Sequence, residues 1–278
     1  MTKIIDFFGI DSDRERTDWT EVHRTQHCPY LNKKCIKIRK SQSEISIGTC
    51  TVRYGRASRP VMICPFRLLE KRQIFTDCLH LLTGHEPGNE IHVVPEVGIP
   101  GGNIDYFLVS ARGRKVRDFV GIELQTLDTT GTVWPERQRF LNSVGIEAEG
   151  GDSVKPFGMN WKMTAKTILV QLHHKVQTFE HLNKHLVLVA QDVLYEYMRR
   201  EFSFDHLTDA RTSDPMHFHS YGFFEQEDGN RIEMVSRWST DSDGIATCLG
   251  LQSEANIELN VITDTLETKL SDLTLMTL

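Results

Sequence analysis

Residues Gly101–Gly131 read GGNIDYFLVSARGRKVRDFVGIELQTLDTTG. Two apolar runs stand in this stretch, Ile104–Val109 and Phe119–Leu124. Each is short, rich in β-branched and aromatic side chains, and bounded by glycine or charge, which predicts two strands. The segment between them, Ser110–Asp118, holds Arg112, Gly113, Arg114, Lys115 and Arg117, so the pair reads as a hairpin with a basic loop. Each strand also carries acid where burial should exclude it. Asp105 begins the first, and Glu123 lies inside the second with Gln125 two residues on. Residues i and i+2 of a strand share a face. Glu123 and Gln125 therefore point one way, Ile122 and Leu124 the other, and antiparallel pairing would set Asp105 across from the acid. Two close carboxylates repel unless a cation joins them. Oxygen ligands suit a hard divalent ion, Mg²⁺ foremost, and such an ion polarises a phosphate and acidifies a bound water. The plainer alternative has Asp105 capping a turn and Glu123 on a solvated strand face.

The spacing Asp–(x17)–Glu-x-Gln on neighbouring strands resembles the PD-(D/E)xK nuclease core, with Gln125 where that core usually carries Lys. The fuller strings PEVGIPGGNIDYFLV (95–109) and DFVGIELQTLDTTG (118–131) resemble the NotI family of type II restriction endonucleases, which includes EagI-like enzymes. That resemblance implies an α/β fold with a central mixed sheet flanked by helices. It implies site-specific cleavage of double-stranded DNA at a GC-rich palindrome, GGCC or CGGCCG, by a Mg²⁺-dependent homodimer that leaves 5′ phosphates. Asp105 and Glu123 would bind the Mg²⁺ and Gln125 would orient the attacking water. From its position at a strand end, a few residues before Pro100-Gly101-Gly102, Glu96 reads as an outer carboxylate near the metal, with a plain loop acid as the alternative. Two alternatives stay open: a nuclease of the same fold with little sequence preference, in repair or defence, and a metal-stapled DNA-binding protein with an inactive cluster.

The 278 residues are 39% hydrophobic and 25% charged, the composition of an ordinary globular protein with length for one large domain or two modest ones. No apolar run reaches the roughly 18 residues of a membrane span, and MTKIIDFFGIDSDRER lacks a secretory pattern. A cytoplasmic protein, bacterial by the resemblance, is the expectation, with its six cysteines reduced or metal-bound. Net charge is −6, but residues 1–72 carry 15 Lys and Arg against 8 Asp and Glu, and the remainder 17 against 30. A basic front on an acidic body can still grip phosphates.

That front holds Cys28, Cys35, Cys50 and Cys64, with gaps of 6, 14 and 13 residues. The tight Cys-x2-Cys knuckle is missing, so spacing alone is a moderate metal signal. Proline after Cys28 and Cys64 fixes the backbone beside each, and the segment has no long apolar run of its own. Buried free thiols in a small β subdomain are the alternative. The resemblance makes the four cysteines ligands of a structural metal and points to iron, while zinc suits four thiolates equally. The chain thus divides into residues 1–66, a basic arm with the four-cysteine subdomain, and residues 67–278, a nuclease domain with a C-terminal extension. Lys33, Lys34 and Arg39 are candidates for the DNA backbone. Further DNA contacts are expected from Thr126, Thr129 and Thr130 just beyond Gln125, to phosphate or base edges, from Arg137 as a reader of guanine, and from Lys162 and Lys166 at a helix start, to phosphate.

Elsewhere periodicity predicts a helix over 67–82, in which Glu70 is more a surface acid than a site residue, and a buried strand at Ile91–Val94. Asn160 or Thr164 caps a long helix whose stripe is Ala165, Ile168, Leu169, Leu172, Val176, Phe179 and Leu182. Leu186–Ala190 reads as a fully buried strand and Val193–Phe202 as a helix. The order from Arg67, αβββαβ, agrees with the nuclease core independently of the motif. His217 and His219 share a strand face, read as a half-buried edge strand, and Ile257–Ile262 reads as a late strand.

Overall fold

The computed structural model describes residues 2–149, 151, 156–226, 229–251 and 267–268. The strand expected at Ile257–Ile262 lies outside them. A small sheet comes first, in the order β2-β1-β3-β4, from β1 (Ile4–Phe7), β2 (Ile10–Asp11), β3 (Thr49–Tyr54) and β4 (Arg59–Met62). The main sheet contains β5 (Glu90–Ile99), β6 (Gly102–Arg112), β7 (Lys115–Gln125), β8 (His185–Gln191), β9 (Thr208–Asp209), β10 (Met216–Phe224) and β11 (Arg231–Thr240). Its order is β9-β11-β10-β8-β7-β6-β5. The pairs β7–β8 and β8–β10 are parallel and the others antiparallel, so the sheet is mixed. Six α-helices accompany it among the described residues: α1 (Trp19–Thr25), α2 (Gln73–Asp77), α3 (Trp134–Ser143), α4 (Trp161–His181), α5 (Asp192–Glu201) and α6 (Ser242–Cys248). None of the described helices is long and apolar enough to cross a membrane.

The central strand β8 is buried along its whole length, as a β-branched and aliphatic run between two parallel neighbours should be. Helix α4 covers one face of the sheet. Its stripe from Ala165 to Phe179 is buried, while Leu182, at the C-cap, is half exposed. Gly121 of β7 admits that helix: a Cβ there would lie 2.5 Å from the Phe179 ring. Asn160 occupies the N-cap of α4, but its side chain makes no capping bond; the Thr164 hydroxyl instead meets Asp128.

Four expectations need correction. The segment 67–82 is not one helix but a 3-10 stretch (Pro65–Arg72), the short α2 and a further 3-10 turn. Lys71 and Arg72 take left-handed φ of 50° and 56°, which interrupts the helix. The reason is Arg67 and Glu70, whose side chains are drawn into a buried ion network with Asp6. The basic loop is tighter than the sequence implied, because Arg112 pairs with Lys115 across a Gly113-Arg114 turn. The strand expected to be buried at Ile91–Val94 is part of β5 at the sheet edge, with Ile91 40% and Val94 39% exposed, and α3, over residues given no element in the sequence reading, follows Val133 with Pro135 in its first turn, a favoured place for proline. Finally, β10 is no edge strand; it lies between β8 and β11, and His217 and His219 are 0% exposed.

Those histidines give the fold a pH limit. Burial lowers the His219 imidazole to about 3, with help from the nearby His217, His80 and Arg237. Burial likewise lowers His217 to about 4, with His185 adding to it and the Asp214 carbonyl opposing it. Both are neutral in the native protein at pH 5, whereas in the unfolded chain each takes up a proton below about 6.5. The unfolded state then binds more protons, so stability falls as the pH drops. Between pH 7.5 and 5 each histidine should cost up to about 2 kcal/mol. Urea unfolding of His219→Leu at both pH values should show a shallower loss than the parent chain, and an unchanged slope would refute this account.

Candidate active site

The acids of the hairpin meet at one end of the sheet. Pairing of β5 with β6 sets Ile104 against Val97 and Tyr106 against Pro95, which puts Asp105 opposite Glu96. Pairing of β6 with β7 sets Tyr106 against Ile122, and one step further along the same register brings Asp105 to Glu123. Asp105 Oδ2 accepts a hydrogen bond from the Leu124 backbone N–H at 2.8 Å, so the side chain caps the ladder where the strands part. Glu96 lies within β5, not in a loop, with a left-handed φ of 52°. A non-glycine residue holds that conformation at a cost of roughly 1 kcal/mol. Its side chain is exposed, while Glu123 is only 5% exposed.

Burial dominates the electrostatics. It raises Glu123 to about 7, with the Asp105 charge adding and Lys175 opposing. Burial also raises Asp105, assisted by Glu96 and opposed by the Leu124 amide and by Lys175. The three carboxylates therefore sense one another directly or through Asp105. The sequence reading missed Lys175. It projects from α4, is 5% exposed, and its Nζ lies 2.6 Å from Glu123 Oε1. A lysine falling on the buried stripe of α4, three residues after Leu172, was the available signal. Gln125, half-buried, turns its amide Nε2 to the Thr126 carbonyl at 2.6 Å.

Residues 20–234 of the chain match the family model described as Restriction endonuclease NotI. The chain belongs to the NotI restriction endonuclease family. With that family goes site-specific cleavage of double-stranded DNA. The search of curated proteins gave no match.

Within this NotI-family chain the other candidates disperse. Thr126 is buried; Thr129 and Thr130 form a two-residue ladder with Met159 and Gly158, Thr130 being exposed. Lys162 and Lys166 are exposed in the first turns of α4. Lys33 and Lys34 are exposed, with Lys34 Nζ donating to the Glu44 carbonyl. Arg39 lies over the Trp134 ring at 4.1 Å. Arg137 departs from its expected place at the surface. It is 1% exposed, donates to the Ile47 carbonyl and to Gln138, and lies over Trp134, so it braces the fold instead of facing a base. Glu70 pairs with Arg67 and accepts from the Ile232 N–H, away from the acids of the hairpin.

Cys28, Cys35, Cys50 and Cys64 are all buried free thiols. Each feels at least one of the others: Cys28 senses Cys35 and Cys64, Cys35 senses Cys64, and Cys50 senses Cys64 and Cys35. The Cys50 hydrogen bond draws Cys64 down to about 6, aided by Lys37 and by the Phe66 and Arg67 amides. The other three shift the opposite way: burial raises Cys28 and Cys35, opposed in part by the Tyr30 and Leu31 amides at Cys28 and by those of Lys37 and Gly48 at Cys35, and the Cys64 hydrogen bond together with burial raises Cys50 well above its ordinary value. Among the described residues no group of three or more His, Cys, Asp or Glu is set at metal-binding geometry.

Proposed function

We propose that this chain is a type II restriction endonuclease of PD-(D/E)xK type that hydrolyses DNA with Mg²⁺ held by Asp105 and Glu123. The observation that carries the reading is the convergence of those two acids on adjacent strands. The residues fit such an ion. Asp105 spends one oxygen on Leu124 and Glu123 spends one on Lys175, which leaves Asp105 Oδ1 and Glu123 Oε2 for a hard cation. Mg²⁺ there would polarise the scissile phosphate and acidify a bound water. Gln125, its amide N–H engaged by Thr126, would offer Oε1 as acceptor to the attacking water. The water oxygen bonds to phosphorus as the P–O3′ bond breaks, leaving a 5′ phosphate and a 3′ hydroxyl. Glu96, opposite Asp105, would act as an outer carboxylate.

The four cysteines would hold a structural iron or zinc, closed to substrate. Their mutual proximity supports this: burial and their mutual repulsion disfavour the thiolates of Cys28, Cys35 and Cys50, and a shared cation would offset both. Residues 1–66 would then be a metal-stapled basic module and residues 67–278 the nuclease domain. Exposed Lys33, Lys34, Lys162, Lys166 and Thr130 are suited to phosphate contact. A palindromic GC-rich site of the GGCC or CGGCCG kind calls for a two-fold homodimer. Digestion of mixed plasmid DNA with Mg²⁺ should yield discrete fragments with 5′ phosphates. A smear would indicate a nuclease of low specificity, and shifted but uncut DNA a binding protein.

A further inference from the structure

We propose that Lys175 is a third catalytic residue of this site, an ammonium from α4 that holds Glu123 and donates to a non-bridging oxygen of the scissile phosphate. The inference rests on the nuclease reading above. Lys175 stands among Leu172, Val176 and Phe179 on the buried stripe of α4, where an apolar side chain would pack without penalty. Burying an ion pair costs several kcal/mol of desolvation, and its replacement by apolar groups is often neutral or stabilising. The charge is therefore poorly explained by stability alone.

Its surroundings are shaped to bring it to the acids. Gly101 and Gly102, at φ of 97° and 136°, carry the β5–β6 turn close against α4. A Cβ at Gly102 would lie 3.2 Å from Lys175 Cε, and one at Gly101 would lie 3.0 Å from the His174 carbonyl. The ammonium has three protons to donate. One goes to Glu123 Oε1, and Lys175 makes no other hydrogen bond among the described residues. The remaining protons lie beside the two carboxylates proposed to bind the ion. As water attacks, the non-bridging oxygens gather negative charge, and a fixed cation in a water-poor site stabilises that charge more than the ground state. No proton leaves Lys175; the one lost by water passes through solvent to the departing 3′ oxygen.

The test is single-turnover cleavage of a plasmid that the parent chain cuts, with DNA affinity measured in Ca²⁺ and thermal midpoints recorded alongside. Lys175→Met should lose about 10²-fold or more in rate while its DNA affinity stays within about threefold. Lys175→Arg should recover part of the rate. Lys175→Gln is read the same way should the Met variant not fold. Cleavage by Lys175→Met or Lys175→Gln within about threefold of the parent overturns the proposal. So does faster cutting at low Mg²⁺, which would make Lys175 a competitor of the ion. Parallel loss of cutting, DNA binding and thermal midpoint in Met, Gln and Arg variants alike would reduce Lys175 to a packing group. A parent chain that cuts no DNA overturns the nuclease reading and this inference together; a cutting parent with an unimpaired Met or Gln variant overturns only this one.

Discussion

Plasmid DNA incubated with Mg²⁺ and the Asp105→Asn variant stays intact, the rate falling at least about 10³-fold. The substitution is nearly isosteric. The Asn carbonyl oxygen can still accept the Leu124 N–H that Asp105 takes at 2.8 Å, so the β6–β7 junction keeps its cap. What goes is one negative charge, and burial already raises the Asp105 carboxyl toward its neutral form. The neutral side chain avoids that desolvation, so the thermal midpoint should hold or rise. DNA affinity measured in Ca²⁺ should not fall in proportion to the rate, because removing a carboxylate also removes a repulsion toward phosphate. Loss of cutting with folding and binding intact is the signature of a group needed for chemistry. A variant that still cuts would exclude Asp105 as an essential ligand and take the site with it. Glu123→Gln is a less clean probe, because it leaves the Lys175 ammonium buried without its counter-ion.

Local patterns in the chain carried a large part of this architecture. The hairpin strands declared themselves by short β-branched runs, β8 by an unbroken apolar segment, and α4 by its stripe, because burial on one face or two leaves a period in the sequence. Opposed Asp105 and Glu123 followed from strand parity. Whatever depends on contacts between distant segments was not legible. The 67–82 helix breaks because Arg67 turns inward to Asp6, about sixty positions earlier, and holds Glu70 beside it, and no local period records that. Arg137 looked like a surface guanidinium until Trp134 and the Ile47 carbonyl enclosed it. Lys175 was hidden for the opposite reason. Its position on the stripe was visible, but a charge on an apolar stripe has meaning only beside its partner on β7.

Arg67→Ala should be the most destabilising of the single changes considered, by about 3–5 kcal/mol. The guanidinium is 1% exposed; its Nε meets Asp6 Oδ2 at 2.8 Å, its Nη1 meets Glu70 Oε2 at 2.9 Å, and its Nη2 donates to the Asn230 carbonyl. Asp6 in turn accepts from the Thr51 hydroxyl and the Asn230 amide, and Glu70 accepts from the Ile232 N–H. One side chain therefore joins β1 and β3 of the small sheet to β11 of the large one, through the 3-10 segment between them. Its removal strands the Asp6 carboxylate, which is also 1% exposed, without a cation. The cost should come mainly from that stranded charge and only partly from lost packing, so adding Asp6→Asn to Arg67→Ala should restore part of the stability. Urea unfolding of the two variants separates the contributions. A single-variant loss below about 1 kcal/mol, or a double variant that falls by the sum of its parts, would mean that the network does not bind the sheets together as argued.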